Sequence, residues 1–179
     1  MQGDLGSEGF ECYRLVSTLT LCARRKLLSA GNRSEMEEII YKLETRDRPG
    51  LLIAIMRALA AEDCRISFEG KLSQTELAQM EGVTHEETKV LKRSTLWPKL
   101  EFLVLPLTQE KLPAIEKAVV SKIAFGERGL IHVLIELNGK MAFAAYDGFQ
   151  HVAVSSAVSP PLLEELIKTR VLRNYQRQP

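Results

Sequence analysis

The run Thr45-Arg46-Asp47-Arg48-Pro49-Gly50-Leu51-Leu52 decides how this chain folds, because it joins a stretch of two-residue apolar period to one of helical period. Upstream, Ile39, Tyr41 and Leu43 alternate with Ile40, Lys42 and Glu44, the pattern of a strand with one apolar side. Downstream, Leu51, Leu52, Ile55, Met56 and Leu59 fall on one helical stripe. Asp47 is placed to cap that helix, Pro49 presets φ in its first turn, and Gly50 removes the Cβ that would hold a partner away from the backbone. A helix N-terminus opened in this way attracts carboxylate or phosphate. The unit therefore predicts a ligand-binding loop made of Asp47, Arg48, Pro49, Gly50 and Leu51.

The Asp-Arg-Pro-Gly-Leu-Leu segment, followed by the strand Cys64 to Phe68, resembles the opening of an ACT domain. The resemblance lies in the sequence over about residues 37–70 and only in element order over 100–137. It implies an α+β fold, a ferredoxin-like βαββαβ antiparallel sheet that holds an amino acid at the first strand-to-helix loop and assembles as a homodimer. It also implies a regulatory, non-enzymatic role.

Composition sets outer bounds on these expectations. With 179 residues, 45% of them hydrophobic, the chain can bury one full core. Lys plus Arg number 24 against 23 Asp plus Glu, a net charge of +1 that disfavours a protein built to hold nucleic acid or an anionic membrane. The cysteines, Cys12, Cys22 and Cys64, are odd in number and widely spaced, which predicts a reducing, cytoplasmic setting in place of a disulfide framework or a zinc site. No apolar run is long enough to span a bilayer.

Along the chain, residues 1–35 read as a loosely held extension and 36–137 as the ACT-like domain. That domain departs from its pattern by a helical insertion at 72–99. There Thr75 to Met80 and Thr84 to Lys92 look helical, the second opened by a capping box of Thr84 and Glu87. The pair is similar to a helix-turn-helix, except that Glu81 and Thr88 stand where apolar packing is usual. Leu100 to Leu107 reads as a central strand, and a helix over Gln109 to Ala124 with Pro113 in its first turn ends at Gly126. Asn138-Gly139 and Asp147-Gly148 each fit a two-residue hairpin turn, so residues 138–179 supply a C-terminal β-hairpin and helix completing the same domain. With both turns that short, Val133, Ala144 and His151 share one face and Leu134, Phe143 and Val152 the other. Ser159-Pro160-Pro161 starts the last helix, which covers the second face of the sheet unless another subunit does, and Asn174 to Pro179 fray. The expected strand order is 6-5-4-1-3-2, with the edge of the second strand open for a dimer.

Catalytic signals are few. His132 and His151 fall on opposite faces of the expected meander, His132 and Glu136 lie roughly 13 Å apart along one strand, and His85 stands alone. Cys64 beside Asp63 reads as a buried structural thiol, Trp97 as a packing residue at a loop end, and Tyr146 with Phe149 as a cross-strand aromatic pair. The function expected is that of a non-enzymatic sensor of an amino acid, without cofactor or metal. The alternatives are an interaction domain with no ligand and a DNA-associated regulator acting through residues 75–93, tested by salt-sensitive heparin retention through Lys89, Lys92 and Arg93.

Overall fold

The computed structural model describes residues 40–73, 75–95, 97, 99–122 and 129–178. The extension at 1–35, Cys12, Cys22 and the helix stop at Gly126 lie outside them. In chain order the elements are β1 (Ile40–Thr45), α1 (Arg48–Leu59), β2 (Cys64–Gly70), a 3-10 turn (Glu76–Gln79), β3 (Glu101–Pro106), α2 (Leu112–Lys122), β4 (Leu130–Leu137), β5 (Lys140–Tyr146), β6 (His151–Ser155), α3 (Pro160–Lys168) and β7 (Leu172–Arg177). The fold of the described residues is α+β, with three helices and a seven-stranded antiparallel sheet.

The strand order is β3-β2-β4-β5-β6-β1-β7, which corrects the order expected for an extended ferredoxin-like unit. β4 pairs with β2 on one side and β5 on the other, so no place beside it is left for β1. The latter pairs with β6, setting Tyr41 opposite Val154 and Leu43 opposite Val152 in one apolar row. Its other neighbour is β7, whose residues from Asn174 on the sequence marks as a fraying tail; their polar side chains suit an edge. The second strand is therefore interior and offers no dimer edge, while β3, expected to be central, is an edge strand. Its apolar composition comes instead from burial of both faces.

The three described helices lie on the front face of the sheet. Leu51, Leu52, Ile55 and Met56 of α1, Ile115 and Val119 of α2 and Leu162, Leu163 and Leu166 of α3 share one core with Ile66, Phe68, Val133, Ile135, Phe143 and Val152. The Arg57 guanidinium grips the Glu116 carboxylate at 2.7 and 2.8 Å, holding α1 against α2. α3 thus shares the front core and does not cover the back. What covers it is the insertion, through Leu91, which is buried on Phe102, Val104, Leu134 and Ala144. Gly70 lets this region close up: a Cβ there would stand 2.1 Å from the Gly129 carbonyl oxygen, which accepts the Lys71 amide at 3.0 Å.

Two details of the meander correct its expected register. The Asn138-Gly139 turn forms as predicted, with φ of 52° and 72°, but the pairing shifts by one residue between Ile135 and Glu136. The next connection spans four residues, Tyr146 pairing with His151. A one-residue slip exchanges the two faces. Leu134, Ala144 and Ala153 therefore share the back face, and His132 and His151 lie on that same face, two strands or roughly 10 Å apart. Tyr146 turns its edge to His132 at 5.6 Å while Phe149 packs on Phe143 at 6.2 Å, so the expected Tyr146–Phe149 pair does not form.

Candidate functional site

The strand-to-helix loop forms where the sequence places it. The Asp47 carboxylate accepts the Gly50 amide at 2.9 Å and the Asp47 carbonyl accepts the Leu51 amide at 3.0 Å. The Arg46 and Asp47 amides both donate to the Val171 carbonyl, at 2.9 and 3.3 Å. Three of the loop's amides, those of Asp47, Gly50 and Leu51, therefore have acceptors within the chain, as does that of Arg46 before it. Gly50 is needed for the same internal reason, since a Cβ there would meet the Asp47 carboxylate at 2.2 Å. Arg48 is exposed, Pro49 is half-buried and Leu51 belongs to the core.

The back of the sheet carries more polar structure than the sequence suggests. Residues 84–92, expected to be helical, form a non-helical strap with a bend at Lys89 and Val90. Thr84 makes an antiparallel bridge with Val104, and the two residues exchange amide bonds of 2.9 and 2.8 Å along the outer side of β3. The Thr88 hydroxyl accepts the Val90 and Leu91 amides and donates to Glu136 Oε2 at 2.5 Å. Such side-chain bonds to nearby amides compete with a helix, which is why the capping-box reading of Thr84 and Glu87 fails. Without that second helix, the helix-turn-helix arrangement is absent.

Further along, the strap is fastened to charged groups beneath it. Glu69, 2% exposed, accepts the Ser94 amide at 2.7 Å and the Thr95 amide at 2.9 Å. His132, opposite it on β4 and 7% exposed, accepts the Asp147 amide at Nδ1, so Nε2 carries the proton and donates to the Thr95 hydroxyl at 2.9 Å. Arg93 lies over the Phe102 ring at 5.0 Å and donates to the Leu100 carbonyl at 3.0 Å. Outside this latch, His85 Nδ1 donates to the Phe102 carbonyl at 3.0 Å. Period-2 alternation put Glu69 on the back face without showing that the face is covered, and so this group escaped the sequence reading.

Beside the strap lies an open groove of about 750 Å³. Arg65 from β2, Glu136 from β4 and Gly139 from the turn form its floor, and Glu87, Thr88, Lys89 and Lys92 of the strap form its wall. Arg65, Lys89 and Lys92 make no ion pair among the described residues. Trp97 is 87% exposed, so it is not the packing residue expected. No group of three or more His, Cys, Asp or Glu side chains gathers in metal-binding geometry among the described residues, and no described helix is long and apolar enough to cross a membrane.

Cys64 is fully buried at the start of β2. Burial, and after it the Glu136 carboxylate, push its thiol up to about 12 from 9.0. The folded chain thus keeps this proton to higher pH than the unfolded one. Its contribution to stability is complete below 9.0 and declines as pH rises towards about 12. With maleimide at about pH 8, peptide mapping should find Cys64 unlabelled in the native protein and labelled in denaturant; native labelling at the unfolded rate would contradict its burial.

No protein family, curated protein or solved structure matches this chain.

Proposed function

We propose that the chain is a non-enzymatic regulatory module that responds to a small ligand, an amino acid or similar carboxylate, in a reducing compartment. The observation that carries this reading is the strap. It crosses the back of the sheet with Leu91 as its buried apolar anchor and is otherwise fastened by polar side chains, Glu69, His132 and Glu136 among them. These groups hold a conformation and do not converge on a position where a reacting atom could sit, which suits a sensor better than a catalyst. Bonds of this kind are exchanged for ligand contacts more cheaply than a packed core is reopened. The loop at Asp47 to Leu51 adds less than its sequence implies, because its Asp47, Gly50 and Leu51 amides are already bonded within the chain.

The test is a thermal-shift screen of the proteinogenic L-amino acids on the wild type and on Gly50→Val. A ligand at a hundredfold its Kd stabilises by about 2.7 kcal/mol, a rise in Tm of roughly 5–10 °C for a chain of this length. Gly50→Val should start from a lower Tm, since the new side chain drives Asp47 off its cap, yet keep the ligand-induced rise. Loss of the rise in Gly50→Val would return the site to the loop. No rise with any amino acid would end the sensor reading.

A further inference from the structure

The groove gathers three cations from two separate elements: Arg65 on the sheet, Lys89 and Lys92 on the strap. Such charges attract a ligand that bears more than one negative charge. The two carboxylates in the lining are partly engaged: Glu87 accepts the Arg93 amide at 3.1 Å, and Glu136 uses Oε2 for Thr88. Glu136 Oε1 has no hydrogen bond among the described residues. The groove, about 750 Å³ in volume, is largely open to solvent.

Resting on the ligand-responsive reading above, we propose that this groove is the binding site and that its ligand is a small dicarboxylate carrying an amino group. One carboxylate is taken by the planar fork of Arg65, which matches two oxygens at once, and the other by Lys89 and Lys92 as point charges. The ammonium sits on Glu136. A molecule held so ties the strap to the sheet, adding a ligand-made cross-link to the Thr88–Glu136 bond. Occupancy is thereby read out as order in residues 88–95.

The experiment uses L-glutamate and L-aspartate as probes, with L-leucine and glutarate for comparison, on the full chain. Calorimetry should show an acidic amino acid binding, about tenfold or more weaker in Arg65→Gln and in Lys92→Gln, and unchanged in Lys168→Gln on the far side of the sheet. All three changes are at exposed side chains, so each variant should fold, which circular dichroism verifies. Binding should weaken with added salt, and hydrogen exchange at the Leu91, Ser94 and Thr95 amides should slow on ligand addition. Glutarate, which lacks the ammonium, should bind more weakly; equal affinity would remove Glu136 from the site. Binding of a neutral amino acid that ignores Arg65→Gln and Lys92→Gln would overturn this groove as the site while leaving a ligand-responsive module. Failure of every amino acid to bind would overturn both.

Discussion

Phe68→Ala is expected to lower the unfolding free energy by about 3–5 kcal/mol, measured by urea denaturation followed in the far ultraviolet. Phe68 is fully buried, in the middle of β2, with Leu103 paired to it on one side and Val133 on the other. Its ring lies in the front core that α1 and α2 share with β2 and β4. Neighbouring strands are held by their ladders and cannot move in to fill the space, so the loss includes the void as well as the transferred surface. A domain has about 5–15 kcal/mol in all, and this single truncation removes a large share of it. The slope with urea should stay at its wild-type value, because the surface exposed on unfolding hardly changes. A loss below about 1 kcal/mol would mean that Phe68 does not occupy the centre of the core.

What the sequence reveals and what it hides divide according to the range of the interaction. The β1–α1–β2 unit is legible because its causes are local: an alternating run, an Asp47 cap that forms as read, and a proline in the first turn. The strand order is not, since the choice of β6 over β3 and β4 as the neighbour of β1 is made between residues more than a hundred positions apart. Within the meander the Asn138-Gly139 turn was readable, but an extra residue beside Ile135 and Glu136 carries no turn chemistry to announce it, and it reverses the facing of every side chain beyond it. At Thr84 local and distant preferences conflict. A capping box favours a helix, whereas pairing with Val104 and burial of Leu91 hold the chain out of one, and the tertiary contacts prevail. The candidate site inherits that blindness: Arg65 and Glu136 meet through the β2–β4 ladder, Lys89 and Lys92 lie far from both in sequence, and only the fold brings the four to one groove.

Glu69→Ala should separate the strap from the rest of the fold. The carboxylate is nearly inaccessible and receives the Ser94 and Thr95 amides at 2.7 and 2.9 Å, charge-assisted bonds each stronger than a neutral pair. Removing it leaves both amides without their acceptor and leaves a small void against β4, where His132 loses its fixed approach to the Thr95 hydroxyl. Ser94 is exposed and Thr95 half-buried, so water replaces part of what is lost. The cost is set by this partial rescue at about 2–3 kcal/mol, below that of the core truncation. The two variants differ in where the loss appears. Phe68→Ala weakens the sheet as one cooperative body, so exchange speeds up at all its slow amides. Glu69→Ala should speed exchange at the Leu91 and Thr95 amides most, with β2, β4 and α1 following only to the extent of the global loss. Glu69→Gln retains one carbonyl oxygen and should keep one of the two amide bonds, falling between wild type and alanine. If Glu69→Ala loses stability while strap exchange stays at the wild-type rate, the strap is held by Leu91 and Thr88 alone, and a ligand in the groove would have no movable element to act on.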